Sequence, residues 1–112
     1  MNSLMARTQP ESILQTDIKK FLEDRNWYVI VMTGSMYQSG VPDLYITHAH
    51  HGHRWVEVKR AKSYRFTAAQ LKVFPKLCKS GDGVWIMVAA TWQEYRKLFS
   101  KSNWVQYIKL PR

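Results

Sequence analysis

Two stretches, Gly40-Val41-Pro42-Asp43-Leu44-Tyr45-Ile46 and Arg54-Trp55-Val56-Glu57-Val58-Lys59-Arg60, decide the fold. The first enters an extended run through glycine and proline. The second alternates branched apolar residues with large or charged ones, the period of a half-buried strand. Joined by the polar segment Thr47-His48-Ala49-His50-His51-Gly52-His53, they predict a β-hairpin. Side chains two positions apart on a strand project to the same side about 7 Å apart. Glu57 and Lys59 therefore share a face with Trp55, while Val56 and Val58 take the other.

An acid and an amine thus stand side by side, with Asp43 at the start of the neighbouring strand. Asp43 and Glu57 could form a hard-oxygen cage for Mg²⁺ or Mn²⁺, which takes one or two carboxylates and completes its shell with water and substrate phosphate. The carbonyl of Val58 is a further candidate ligand. Such a site favours ionisation of a bound water and offsets charge on a phosphate, with Lys59 placed to orient the water or hold the phosphate. The plainer alternative makes Asp43 a turn residue bonded to its own backbone and Glu57–Lys59 a solvated pair on an open sheet face.

Pro42-Asp43 followed by Glu57-Val58-Lys59 resembles the motif of the PD-(D/E)xK nuclease superfamily. Glu11 in the first helix, the Gly40-x-Pro42-Asp43-Leu44 turn, Val56-Glu57-Val58-Lys59 and Gln70, in that order, resemble the virus-type replication-repair nuclease (VRR-Nuc) family over nearly the whole chain. The resemblance implies an α/β fold, a single mixed β-sheet flanked by helices with a restriction-endonuclease-like αβββαβ core. It also implies a Mg²⁺- or Mn²⁺-dependent DNA endonuclease that leaves a 5′-phosphate. In that scheme Asp43 and Glu57 hold the metal, Glu11 assists directly or through water, Lys59 activates or positions the attacking water, and Gln70 orients the site. Small free-standing relatives imply a homodimer that cuts branched DNA such as four-way (Holliday) junctions. In one departure, Arg60 follows Lys59 where relatives often carry a small residue such as glycine, which leaves substrate preference open. The competing classes are a non-catalytic basic nucleic-acid-binding module with the same fold and a basic protein-interaction domain.

Composition narrows the partner. A chain of 112 residues makes one domain, expected over residues 10–112 after a loose tail at 1–9. Seventeen Lys and Arg against eight Asp and Glu give a net charge of +9 and a pI near 9.9. That balance favours a polyanion, nucleic acid first, because phosphate binding releases counterions. The basic residues are spread along the chain, and no apolar run approaches the roughly 20 residues of a membrane span. A single cysteine, Cys78, forms no internal disulfide, and the start lacks a secretory signal, so the expected setting is the cytoplasm, with the resemblance implying a bacterial or phage-encoded protein. Cys78 reads as a small core residue.

In chain order, Pro10 opens a helix with Ile13, Leu14, Ile18, Phe21 and Leu22 at helical spacing. Glu11 in its first turn is favoured by the helix dipole alone, beside the role the resemblance implies. Trp27 to Thr33 reads as a strand whose continuous apolarity suggests a central, covered position. The loop Gly34 to Gly40 offers Tyr37 and Gln38 as nucleic-acid contacts. The histidine turn reads as solvated, with spacing that matches no closed zinc site. Arg60, Lys62, Tyr64 and Arg65 form a basic segment able to hold a phosphate backbone, with Tyr64 able to stack. Thr67-Ala68-Ala69-Gln70 has the form of a capping box. It opens a second helix with Leu71, Phe74, Leu77 and Cys78 inward and a bend or break at Pro75. Val84 to Ala90 reads as a strand parallel to the motif strand after a right-handed crossover. A second capping box, Thr91 to Glu94, opens a helix with Trp92, Tyr95, Leu98 and Phe99 inward. Trp104 to Leu110 reads as a closing edge strand, and five tryptophans suit either a core or a dimer interface.

Overall fold

A computed structural model describes residues 10–32 and 39–109. The expected tail at 1–9 and the loop residues Tyr37 and Gln38 lie outside them. The elements are α1 (Glu11–Glu23), β1 (Tyr28–Val31), β2 (Leu44–His48), β3 (Gly52–Val58), α2 (Ala68–Lys79), β4 (Val84–Met87), α3 (Trp92–Arg96), a 3₁₀ turn (Lys97–Phe99) and α4 (Trp104–Lys109). The strands form one mixed sheet in the order β1-β2-β3-β4. The first three pair antiparallel as a meander, and β4 returns parallel to β3 after α2.

Strand alternation divides the core into two layers. One face of the sheet gives Val29, Leu44, Ile46, Val56, Val58, Trp85 and Met87 to α1 and to Tyr95 and Leu98. Leu14, Ile18 and Leu22 return from α1 at helical spacing. The other face gives Trp55, Val84 and Ile86 to Phe74 of α2 and Trp104 of α4. Phe74 and Trp104 meet edge to face, ring centres 5.5 Å apart. Arg54 pins the hairpin from the side: Nε donates to the carbonyl of Leu98 at 2.6 Å and Nη1 to that of His51 at 2.8 Å, with the guanidinium near the rings of Trp27, Trp85 and Phe99.

Several expectations are corrected here. β1 is an edge strand, not a central one. Only Val29 is buried, while Tyr28 is 69 % and Ile30 40 % exposed, because among the described residues no element covers the second face at that edge. Trp104 to Lys109 is a short helix rather than a closing strand: Trp104 turns under Phe74, and the Asn103 side chain accepts from the Ile86 amide at 2.7 Å. Pro75 does not split α2, which is one helix over Ala68–Lys79. Ile13 and Leu71, expected inward on α1 and α2, are exposed, as are Trp92 and Phe99 around α3. At α3 the Thr91 hydroxyl does accept from the Glu94 amide, but the Glu94 carboxylate turns to the Val88 amide and Lys97 instead of closing a box. The histidine turn is not wholly solvated either: His51 stacks on Trp27 at 5.8 Å and His48 lies 5.0 Å from the same ring.

Candidate active site

The register Leu44 to Val56 places Asp43, one residue before β2, opposite Glu57 on β3. Gly40 lets the chain enter that position. Its φ of +89° is disfavoured for other residues, and a Cβ there would stand 2.5 Å from the Ala69 carbonyl oxygen of α2. The turn is thereby seated against the helix that carries Gln70. Pro42 behind it is fully buried.

Two carboxylates and an ammonium then converge. The Val58 amide donates to Asp43 Oδ2 at 2.9 Å, and the Asp43 amide donates to Glu57 Oε1 at 3.2 Å. Each acid therefore grips the other's strand. Glu57 is 3 % and Lys59 6 % exposed, so the solvated-pair alternative does not hold. Lys59 Nζ lies 3.2 Å from Glu57 Oε2 and also donates to Gln70 Oε1 at 3.1 Å and to the Arg65 carbonyl. The ammonium has three protons and three acceptors, and it sits 4.8 Å above the Phe66 ring.

Gln70 joins helix cap to site. Its Oε1 accepts from the Thr67 amide at 3.0 Å, completing the capping box with the Thr67 hydroxyl, and accepts from Lys59 as well. Its Nε2 donates to Glu57 Oε2 at 2.8 Å. One amide thus closes the helix cap and contacts both Glu57 and Lys59.

Burial is the main force on the acids. It pushes Glu57 up from 4.5 to about 7, helped by the negative charge of Asp43 and opposed by Lys59 and by the bond from Gln70. Asp43 is also raised, chiefly by burial and further by the charge of Glu11, against the bond from the Val58 amide and the charge of Lys59. Glu11, exposed at the start of α1, is thus close enough for its charge to be felt. Yet among the described residues no group of three or more His, Cys, Asp or Glu side chains gathers as for a metal ion. Asp43 and Glu57 form a pair.

Of the basic segment, Arg60, Lys62 and Arg65 are exposed. Tyr64 is half-buried: its hydroxyl donates to the Tyr107 carbonyl at 2.9 Å and its ring packs on Phe66 and Tyr107. Phe66 and the Arg65 carbonyl, which help to seat Lys59, went unnoticed in the sequence. Their only signal was an aromatic placed between a basic run and a helix cap.

A solved structure described as "VRR_NUC domain" is similar to this chain in fold, with a TM-score of 0.66 and 22 % identity, covering 80 % of this chain and 94 % of that one. The chain has the VRR_NUC fold. No protein-family model and no curated protein matches the sequence. The VRR_NUC fold agrees with the single mixed sheet flanked by helices that the resemblance implies.

Proposed function

We propose that the protein is a divalent-cation-dependent endonuclease of the PD-(D/E)xK type that hydrolyses DNA phosphodiester bonds at Asp43, Glu57 and Lys59. One observation carries this reading: a half-buried Asp43 is drawn together with buried Glu57 and Lys59, and Glu57 is raised to about 7. Like charges crowded out of water favour a cation between them. The donor set suits Mg²⁺ or Mn²⁺, with Asp43 and Glu57 as carboxylate ligands. Val58 supplies a third oxygen, since its amide donates to Asp43 and the N–H and C=O of one strand residue point the same way. Glu11 assists from the edge of the site through water.

A bound cation would supply positive charge against the phosphate and promote loss of a proton from the attacking water. The chain's own groups do the rest. Lys59 exchanges one of its three acceptors for a phosphate oxygen or the water, and holds its proton against the charge that develops there. Gln70 is a positioning residue, fixing Glu57 and Lys59 relative to each other through a cap that belongs to α2. Water attacks phosphorus in line, the 3′-oxygen leaves, and the products carry a 5′-phosphate and a 3′-hydroxyl. Arg60, Lys62 and Arg65 hold the backbone beside the centre, and Tyr37 and Gln38, outside the described residues, are further candidate contacts.

The finer reading is a homodimer selective for branched DNA, four-way junctions above all, since two sites related by symmetry suit a symmetric junction. Net charge supports nucleic acid as the partner. The test incubates labelled four-way junction, flap and linear duplex with the protein in Mg²⁺, Mn²⁺ or EDTA. Cutting in either metal and none in EDTA is expected, with the junction preferred. Salt-sensitive binding with no metal-dependent cutting would replace the enzyme with a binding module of the same fold.

A further inference from the structure

The centre at Asp43 and Glu57 makes no use of a groove between the 3₁₀ turn and α4. This cavity of about 420 Å³ is lined by Lys97, Ser100, Lys101, Asn103, Gln106 and Tyr107. It adjoins another of about 280 Å³ to which Gln93 and Arg96 contribute. None of these lining residues is an acid. Glu94, the carboxylate nearest in the network, is buried and committed to Lys97 and the Val88 amide. Among the described lining residues the groove therefore presents exposed Arg96 and Lys101, Lys97 already paired with Glu94, hydroxyl and amide groups, and no carboxylate.

The groove is also joined to the basic segment beside the centre. Lys59 donates to the carbonyl of Arg65, and the next residue back, Tyr64, donates through its hydroxyl to the carbonyl of Tyr107. Tyr107 in turn lines the groove, its own hydroxyl 3.3 Å from Lys97 Nζ. The basic segment with exposed Arg60, Lys62 and Arg65 is thus tied, through the bond from Tyr64 to Tyr107, to the groove carrying Arg96, Lys97 and Lys101. A small anion needs a closed pocket with buried donors, whereas Arg96 and Lys101 are exposed. Exposed cations at both places suit a chain of phosphates, bound through counterion release.

We propose that this groove is a second backbone-binding subsite, taking a phosphodiester of a nucleic-acid arm away from the bond being cut. Its occupant rests on the nuclease reading above. With no carboxylate among its lining residues to hold a metal, the groove positions substrate and carries out no chemistry.

The experiment compares wild type, Arg96→Ala/Lys101→Ala and the charge-matched control Lys20→Ala/Lys76→Ala, all at exposed positions. Affinity for a long labelled duplex is measured in EDTA over a range of salt, and cutting is measured on that duplex and on an oligonucleotide too short to reach both sites. The groove variant should bind the duplex roughly tenfold more weakly than the control, with a salt slope reduced by about 1 to 2, and should cut the short oligonucleotide as wild type does. Equal affinity and slope in groove variant and control would overturn the proposal, even with cutting intact. Weakened binding by the groove variant in a protein that cuts neither substrate would leave the groove standing and remove the nuclease.

Discussion

Replacing Glu57 by glutamine should make the metal-free protein more stable at alkaline pH. In the folded chain this carboxyl titrates at about 7 rather than 4.5, chiefly because it is buried and then because Asp43 is beside it. At about 1.4 kcal/mol per pH unit, its ionised form costs the folded state about 3 kcal/mol. Below pH 4.5 the group is protonated whether folded or unfolded, and no penalty exists. Between 4.5 and 7 the folded state holds the proton more tightly, so stability falls as pH rises. Above 7 the loss is complete and constant. Glu57→Gln removes this titration, so urea unfolding in EDTA should show a flatter profile. The gain near pH 8 stays below about 3 kcal/mol, because the new amide must turn its NH2 toward a donor, either the Asp43 amide or Lys59 and Gln70. Mn²⁺ at a hundredfold excess over its dissociation constant should restore about 2.7 kcal/mol to wild type at that pH, and much less to the variant. Parallel pH profiles for the two proteins in EDTA would refute burial of this acid as a cost to the fold.

Other substitutions probe how the site is held. Gly40→Ala forces a side chain into a positive φ and against the Ala69 carbonyl; thermal unfolding should register a loss of about 2 kcal/mol or more, with cutting reduced further because Asp43 shifts. Phe74→Ala empties the layer that fixes α2 on the sheet, costing about 3 to 5 kcal/mol in denaturant unfolding. Gln70→Ala removes the reciprocal cap bond and both contacts to Glu57 and Lys59. It should cost about 1 to 2 kcal/mol of stability and lower kcat more than it raises KM.

The parts of the fold that were legible in the sequence were those fixed by local chemistry. Glycine and proline before Asp43 and strict alternation around Glu57 set the hairpin and brought the two acids to one face, as the register bears out. Thr67 and Gln70 announced the start of α2. Of the tertiary features, the parallel return of β4 followed from the helix before it, whereas the positions of edge and cover did not. An apolar run such as Tyr28-Val29-Ile30-Val31 has the same composition at an edge as in the middle of a sheet, and nothing local says that one face of β1 goes uncovered. Trp104 to Lys109 alternates weakly enough for either strand or helix, and the choice falls to packing of Trp104 on Phe74 and to the bond between Asn103 and β4. The pairing of Lys59 with the Arg65 carbonyl depends on where a loop folds back, which spacing cannot supply.

The sharpest measurement is the rate of Mg²⁺-dependent cutting of labelled DNA by wild type, Asp43→Asn and Lys59→Ala, at matched folded fractions checked by circular dichroism. Wild type should cut and stop on addition of EDTA, and each variant should lose at least about a hundredfold in rate, the scale of a lost transition-state contact. Undiminished cutting by both folded variants would place the chemistry elsewhere on the molecule.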